Sequence, residues 1–190
     1  MPRLIEPTQA VESITLRAAT PADASALAGA AAAFFSQTFG PANRSEDMKA
    51  YLAEAFSEEG QRAHLRDPDQ RVWLALDATG AIVGYAHVRL GAAPSGASAI
   101  ASARPVELAR LYADSRLHGH GVGAVLMRAC VDAAREWGGD LLWLGVWEHN
   151  PRAIAFYGKH GFRPVGEQEF LLGTDRQRDI VMARDLTTER

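Results

Sequence analysis

The chain has 190 residues, enough for one domain with a substantial hydrophobic core and too few for two domains of ordinary size. Hydrophobic residues make up 47% and charged residues 23%, which is typical of a soluble globular protein. The formal net charge of −3 argues against a general nucleic-acid-binding protein, because such a protein needs a basic face for the phosphates.

The cysteine content and the apolar runs bear on the cellular compartment. Cys130 is the only cysteine, so no internal disulfide can form, and a reducing cytoplasm fits. Residues 1–8 lack the apolar core of a signal peptide. The longest apolar run, residues 26–35, is too short to cross a bilayer, which requires about 20 residues. We expect a cytoplasmic protein without a membrane segment, and the sequence leaves open whether two copies form a homodimer.

The first part of the chain predicts one strand and two helices. Residues 14–17 are short and alternating, which indicates an edge strand. A helix is predicted from residue 20 to about 37, because a threonine cap is followed by proline and then by an acid in the first turn. Gly40 and Pro41 end this helix, and a second helix is predicted over residues 45–56.

The middle of the chain predicts three strands. Residues 71–76 and 81–90 are apolar segments joined by a turn-forming Asp-Ala-Thr-Gly sequence, which indicates a β-hairpin. Residues 92–103 are rich in Gly, Ser and Ala, and we expect a mobile loop there. A further strand is predicted over Pro105–Ala113.

The last part predicts alternating helices and strands. Apolar residues fall on one face of a helix over 121–136. Residues 140–147 are nearly all apolar, which is expected of a strand covered on both faces. A short helix is predicted over Pro151–Lys159, and a closing pair of strands over 162–172 and 179–186.

The order of these elements predicts the fold class. Locally paired strands precede a β-α-β unit, so the fold is α/β (α+β), with a mixed, mostly antiparallel, twisted sheet of six to seven strands and helices on both faces. We found no repeat and no linker, so residues 1–190 are expected to form a single domain.

A glycine-rich turn between a strand and a helix is the strongest local signal. Residues 118–124 read His-Gly-His-Gly-Val-Gly-Ala, so three alternating glycines let the backbone pass close to a ligand. The exposed N–H groups and the helix dipole together favour an anion such as a diphosphate. Close packing alone would also explain the glycines. A dinucleotide-binding G-x-G-x-x-G pattern and a P-loop ending in Gly-Lys-Ser/Thr are both absent.

The segments around this turn resemble a known family. Upstream is Glu-Leu-Ala-Arg-Leu-Tyr-Ala over 107–113, and downstream is N-x-x-A-x-x-x-Y over 150–157, followed by Gly161 and Phe162. With the glycine turn, residues 105–166 resemble the acetyl-CoA core of the GNAT superfamily of N-acetyltransferases. The resemblance implies the GNAT fold and acetyl-CoA as co-substrate.

The resemblance also implies which residues contact the cofactor. One position departs from the family pattern, since His118 stands where Gln or Arg is usual, although most phosphate contacts come from the backbone. The implied cofactor-binding residues are Leu111, Tyr112, Ala113, His118, Gly119, His120, Gly121, Val122, Gly123, Ala124, Asn150, Ala153, Tyr157 and Lys159.

Three of the matching residues are candidates for the chemistry. The resemblance implies that the Tyr157 hydroxyl lies near the CoA sulfur, where a phenol that is neutral at pH 7 can donate a proton to the leaving thiolate. Asn150 would bond the pantetheine arm, although Asn before Pro is also an ordinary helix cap. Glu107 matches a glutamate that serves some members as a base through water, and its ordinary alternative is a solvated carboxylate.

Histidines do not form a recognisable metal site. His118 and His120 lie two residues apart and lack the Cys or carboxylate spacing of known sites, even with His149 or His160 added, so no metal is predicted.

The acceptor is predicted less directly. The closing segment 170–182 is similar to bacterial Pai-type spermidine/spermine acetyltransferases, which implies a small-molecule primary amine such as a polyamine. Acidic residues on and after the second helix would form a rim that attracts a polycation, namely Glu46, Asp47, Glu54, Glu58 and Glu59. Two alternatives stay open at this point, a protein N-terminal or lysine acetyltransferase and an acyl-CoA sensor without turnover.

Overall fold

The computed structural model describes residues 14–91 and 102–187, which form seven strands and five α-helices. The strands are β1 (Thr15–Ala18), β2 (Gln70–Leu76), β3 (Ile82–Leu90), β4 (Pro105–Ala113), β5 (Leu141–Trp147), β6 (Arg163–Leu172) and β7 (Asp175–Asp185). The helices are α1 (Ala24–Phe39), α2 (Ser45–Ala55), α3 (Glu58–Arg66), α4 (Val122–Glu136) and α5 (Pro151–Lys159). Within this part of the chain, none of the helices is long and apolar enough to cross a membrane.

All seven strands belong to one sheet in the order β1-β2-β3-β4-β5-β7-β6. Every neighbouring pair is antiparallel except β4 and β5, which are parallel. Consecutive residues of β3 show how both faces are covered: Ala86 packs into the core beneath α4, and Tyr85 packs into the core beneath α1. The predicted mixed, mostly antiparallel sheet with helices on both faces is therefore confirmed.

The first helix begins with the signals that the sequence predicts. Thr20 and Asp23 form a capping box around a 3-10 turn that leads into α1. Arg17 on β1 pairs with Asp23 at 2.7 Å, and this hydrogen bond holds the pKa of the carboxyl well below its ordinary value. The strand and the helix start are thereby linked.

Two elements differ from the prediction. Helix α3 was not predicted because its residues are mostly polar and show little apolar periodicity; its signal was the cap Ser57, whose side chain accepts a bond from Gly60 N at 3.2 Å. Strand β7 begins at Asp175, four residues before the predicted start. The turn after β6 is tight, with Gly173 at a φ of +60°, so β7 begins directly after it. The predicted loop over 92–103 falls largely on residues 92–101, which lie outside the described residues.

Strands β4 and β5 separate along their length. Their parallel pairing runs only from Pro105 opposite Leu141 to Glu107 opposite Trp143, although both strands continue beyond those residues. Beside this point the register between β3 and β4 shifts, which leaves Ala109 as an extra, bulged residue. The gap that follows positions the site described next.

Candidate active site

A cavity of about 590 Å³ lies where β4 and β5 separate, a volume typical of small-molecule sites. At one end it is lined by the glycine turn before α4 and by α5. At the other end it is lined by the last turns of α1 and by β6 and β7. The two strands form the walls between these ends, so the cavity connects a helix start to a separate chamber.

The glycine turn has the backbone geometry of an anion site. Gly119 and Gly121 have φ values of +86° and +87°, in the left-handed region that a residue with a Cβ adopts only with strain. Helix α4 begins at Val122, and the bond from Val125 N to Gly121 O, at 3.0 Å, is the first of its ladder. The N–H groups of the first turn therefore have no partner within the helix, and they lie at the positive end of its dipole.

His118 and Gly123 fix the turn against its neighbours. A ring nitrogen of His118 lies 3.2 Å from the carbonyl oxygen of Ala113 at the end of β4. Burial, assisted by the charge of Arg152, lowers the pKa of His118, so the neutral form of the ring is favoured. A Cβ at Gly123 would lie 3.3 Å from the Phe156 ring, so glycine allows α4 and α5 to approach closely.

Tyr157 and Asn150 both line the cavity from α5 and its cap. Tyr157 is buried, and burial raises the pKa of its hydroxyl well above the ordinary value, so the group keeps its proton at any physiological pH. The Asn150 side chain accepts a bond from Ala153 N at 3.1 Å and so caps α5. The ordinary role considered for Asn150 is therefore present in the structure.

Most of the residues that the resemblance assigns to the cofactor lie on this cavity. Those that line it are Leu111, Tyr112, Ala113, His118, Gly119, Gly121, Val122, Gly123, Ala124, Asn150, Ala153 and Tyr157. His120 and Lys159 are exposed and do not line it. Glu107 also lies off the cavity, and its carboxylate accepts a hydrogen bond from Arg89 Nε at 2.9 Å.

The chamber away from the glycine turn has aromatic walls. The Phe39 ring at the end of α1 meets the edge of Trp147 at 5.7 Å, and Phe35 lies 6.4 Å from Tyr112 of β4. These four rings bring α1 against both separated strands, so the chamber offers aromatic surface to a ligand.

Two charged residues of this chamber, Asp179 and Arg110, were not predicted as site residues. Asp179 on β7 is only 8% exposed, and burial raises the pKa of its carboxyl to about 6 despite a hydrogen bond from Gln168. Arg110 donates to the Tyr51 hydroxyl at 3.3 Å, and its guanidinium lies 4.7 Å from the centre of the Phe56 ring. For Arg110 the signal was a charged residue between apolar neighbours of a strand, whereas Asp179 follows a run of polar residues and carried no comparable signal.

The acidic rim expected on α2 and α3 is corrected by the structure. Asp47 is buried and accepts bonds from the backbone and hydroxyl of Thr174 at 2.7 and 2.8 Å, so it anchors the turn between β6 and β7. Glu46 pairs with Arg44, and Glu58 pairs with Arg62. None of the five predicted acidic residues lines the cavity.

The histidines were also considered as metal ligands. Among the described residues, no group of three or more His, Cys, Asp or Glu side chains comes together in a way that could hold a metal ion.

Comparison with known proteins identifies the family to which this cavity belongs. A model described as the acetyltransferase (GNAT) family matches residues 33–162. The chain belongs to the GNAT acetyltransferase family. It is therefore an acyl-CoA-dependent N-acetyltransferase with acetyl-CoA as its co-substrate. The glycine turn, with its unpaired N–H groups and neighbouring cavity, fits the diphosphate and pantetheine arm of that group.

Relatives and solved structures agree with this assignment. An uncharacterized N-acetyltransferase of Mycobacterium tuberculosis is 36% identical over 86% of this chain and 98% of the relative. Streptothricin acetyltransferase of Streptomyces lavendulae is 31% identical over 79% of this chain and 82% of the relative. The fold is similar to the crystal structure of PaiA N-acetyltransferase from Thermoplasma acidophilum in complex with coenzyme A, with a TM-score of 0.71, 19% identity, and coverage of 91% and 99% of the two chains.

Proposed function

We propose that this GNAT enzyme transfers the acetyl group of acetyl-CoA directly to a primary amine of a small molecule. The observation that carries the proposal is the cavity itself, which runs from the anion-binding turn through the gap between β4 and β5 into a chamber with aromatic walls. A relative named streptothricin acetyltransferase supports an acceptor of this kind. We further propose that the whole chain is one such domain.

Each residue of the site has a separate proposed role in binding acetyl-CoA or in the transfer. Bound acetyl-CoA supplies an activated acetyl thioester. The N–H groups at the start of α4 hold its diphosphate, the Leu111–Ala113 backbone and Asn150 align the pantetheine arm, and Tyr157 donates a proton to the departing sulfur. Burial supports the role of Tyr157, because a hydroxyl that keeps its proton is available as a donor. The role of Glu107 as base stays a prediction, and its carboxylate would have to act through a chain of water molecules.

Polyamines were the acceptors suggested by the sequence, and the Pai-type resemblance still supports them. The acidic residues of α2 and α3 no longer do, since they lie off the cavity. An open groove for a protein N-terminus or lysine would suit the alternative of a protein acetyltransferase, whereas here the rings of Phe39 and Trp147 meet beside the chamber, with their centres 5.7 Å apart.

A screen that follows CoA thiol release from the purified chain tests the proposal. It compares spermidine, spermine, simple monoamines, amino acids and a peptide with a free N-terminus. We expect at least one small amine to be acetylated with saturation. Thiol release with the peptide alone would favour the protein acetyltransferase, and tight acetyl-CoA binding without any thiol release would favour a sensor.

A further inference from the structure

Asp179 is a buried carboxylate, and no cation of residues 14–91 or 102–187 shifts its pKa or pairs with it. It is the one carboxylate among the described residues that line the cavity. Gln168 of β6 donates a hydrogen bond to Asp179. Tyr112 of β4 lies close enough for the charge of Asp179 to raise the pKa of its hydroxyl. Its neighbour in the chain, Arg178, pairs instead with Glu148 and Glu167.

The surroundings of Asp179 hold its carboxylate in place. On the adjacent strand β5, a Cβ at Gly145 would lie 3.0 Å from Asp179 Oδ2 and 2.5 Å from Gln168 Nε2, so glycine makes the space for both side chains. A buried carboxylate costs free energy unless a positive charge meets it. A cationic ligand in the chamber would supply that charge.

Arg110 is the opposite case, a guanidinium with no carboxylate beside it. In the described part of the chain, every group that raises its pKa is a tyrosine, namely Tyr51, Tyr85 and Tyr112. Arg152, the other arginine lining the cavity, lies beside His118 at the glycine turn and so belongs to the cofactor end.

Both charges face the same chamber. Arg110 and Tyr112 are two residues apart on β4 and so point to the same face of the sheet, the one packed against α1. Tyr112 is near both groups, because the charges of Arg110 and Asp179 both act on the pKa of its hydroxyl, and all three residues line the cavity. The chamber therefore presents one unpaired charge of each sign.

We infer that the acceptor is an amine that also carries a carboxylate, an amino acid or a close analogue, with its ammonium group held by Asp179 and its carboxylate held by Arg110. This inference rests on the proposed function and deepens it. A planar guanidinium bonds a carboxylate through two parallel hydrogen bonds, and an ammonium group donates charge-assisted hydrogen bonds to a buried carboxylate.

The same arrangement accounts for the two protons that the acceptor nitrogen loses during the transfer. Asp179 takes one proton from the ammonium group and releases it to solvent, which frees the nitrogen lone pair. The nitrogen then forms a bond to the acetyl carbon while the carbon–sulfur bond breaks. The second proton leaves the nitrogen in this step and replaces the one that Tyr157 donates to the sulfur, so the products are an amide, a free thiol and one proton.

Matched acceptor pairs test the inference, measured as thiol release by the full chain at saturating acetyl-CoA. Lysine is compared with cadaverine and ornithine with putrescine, because each pair differs only in the carboxylate. We expect kcat/KM for at least one amino acid to exceed that of its decarboxylated partner by about tenfold or more. Equal or better activity with the decarboxylated amines, or with spermidine, would overturn the inference and leave the proposed function intact.

Variants of Arg110 and Asp179 test which group of the acceptor each residue binds. Arg110→Gln should lower kcat/KM for the amino acid about tenfold or more relative to its decarboxylated partner, while Arg110→Lys should restore part of the preference. Asp179→Asn should lower kcat/KM for both partners. The controls are Arg163→Gln and Asp132→Asn, which remove the same charges at exposed positions away from the cavity.

Acetyl-CoA affinity, measured by calorimetry, shows whether each variant has folded. If Arg110→Gln binds acetyl-CoA normally and keeps the preference for the amino acid, the inference is wrong. If no amine or amino acid releases thiol although acetyl-CoA binds, both the inference and the proposed function fail.

Discussion

At the scale of single residues, Asp179 is the carboxylate that lines the described cavity, and its surroundings disfavour its charged form. Its carboxyl pKa rises from an ordinary 3.8 to about 6, with burial as the first cause. Sites that bind charged ligands often keep such residues at the expense of folding stability, because the ligand supplies the missing partner.

Asp179→Asn should therefore stabilise the free protein above pH 6. Since the native state binds the proton more tightly than the unfolded state, wild-type stability falls relative to the variant as pH rises from about 4 to 6. Each unit of pKa corresponds to about 1.4 kcal/mol, so the difference at pH 8 should reach about 3 kcal/mol or somewhat less. Urea unfolding at pH 4 and pH 8 measures it, with Asp132→Asn as the control. A variant that is less stable than wild type at pH 8 would contradict this account.

Tyr157→Phe should slow turnover and leave acetyl-CoA affinity nearly unchanged. The substitution removes only a hydroxyl, and the ring keeps its packing against Phe162, whose ring centre lies 5.8 Å away. General-acid catalysis contributes about 10²–10⁴-fold, so kcat should fall by about that factor. Steady-state kinetics with the best acceptor and calorimetry with acetyl-CoA measure the two quantities. Full turnover would show that Tyr157 has a packing role only.

At the scale of elements, the glycine turn and α4 act together as the diphosphate site. Its geometry depends on the left-handed conformation of Gly119 and Gly121, and a Cβ at Gly121 would meet nothing within 4 Å. A substitution there would therefore act through the backbone, because the strain comes from the conformation and not from a clash.

Gly121→Val should weaken acetyl-CoA binding by about tenfold or more, equivalent to about 1.4 kcal/mol, because relaxing the turn misplaces the N–H groups. Gly29→Ala is the matched control: Gly29 lies in the middle of α1, and a Cβ there also meets nothing within 4 Å. That variant should bind acetyl-CoA normally and should be more stable by about 0.5–1 kcal/mol. Calorimetry measures the affinity of Gly121→Val for acetyl-CoA, and an unchanged affinity would show that this turn is not part of the binding site.

At the scale of the whole molecule, the cofactor should act as a clamp between two parts of the sheet. Strands β4 and β5 share hydrogen bonds only at one end, and α5 packs beside the gap. A ligand in that gap contacts both sides, so its binding free energy adds to the stability of the fold.

Acetyl-CoA at about 100 times its Kd should raise the free energy of unfolding by about 2.7 kcal/mol. For a chain of this size the melting temperature should rise by about 5–10 °C. Acetyl-pantetheine lacks the diphosphate, so the same concentration should produce a much smaller increase. Thermal unfolding followed by circular dichroism measures both, and equal increases would show that the glycine turn contributes little.

Local sequence patterns were sufficient for much of the fold and for the cofactor end. Seven strands and four of the five described helices were predicted, because apolar periodicity and caps are properties of neighbouring residues. The glycine turn was also predicted from its own residues. Helix α3 was missed because its residues are mostly polar, although the cap Ser57 and the acidic residues of its first turn are local signals.

The acceptor end was decided only by the tertiary structure. The sequence predicted that Asp47 lies on an acidic surface. In the structure it accepts a hydrogen bond from Thr174, which is far away in the sequence. Arg110 and Asp179 lie on strands that are distant in the sequence and come to one chamber because β7 inserts between β5 and β6 and because β4 separates from β5. The sequence alone determined the element types and the cofactor motif, since both depend on residues that follow one another in the chain. Asp179 and Arg110 become buried without partners of opposite charge among the described residues only when the strands assemble into the sheet.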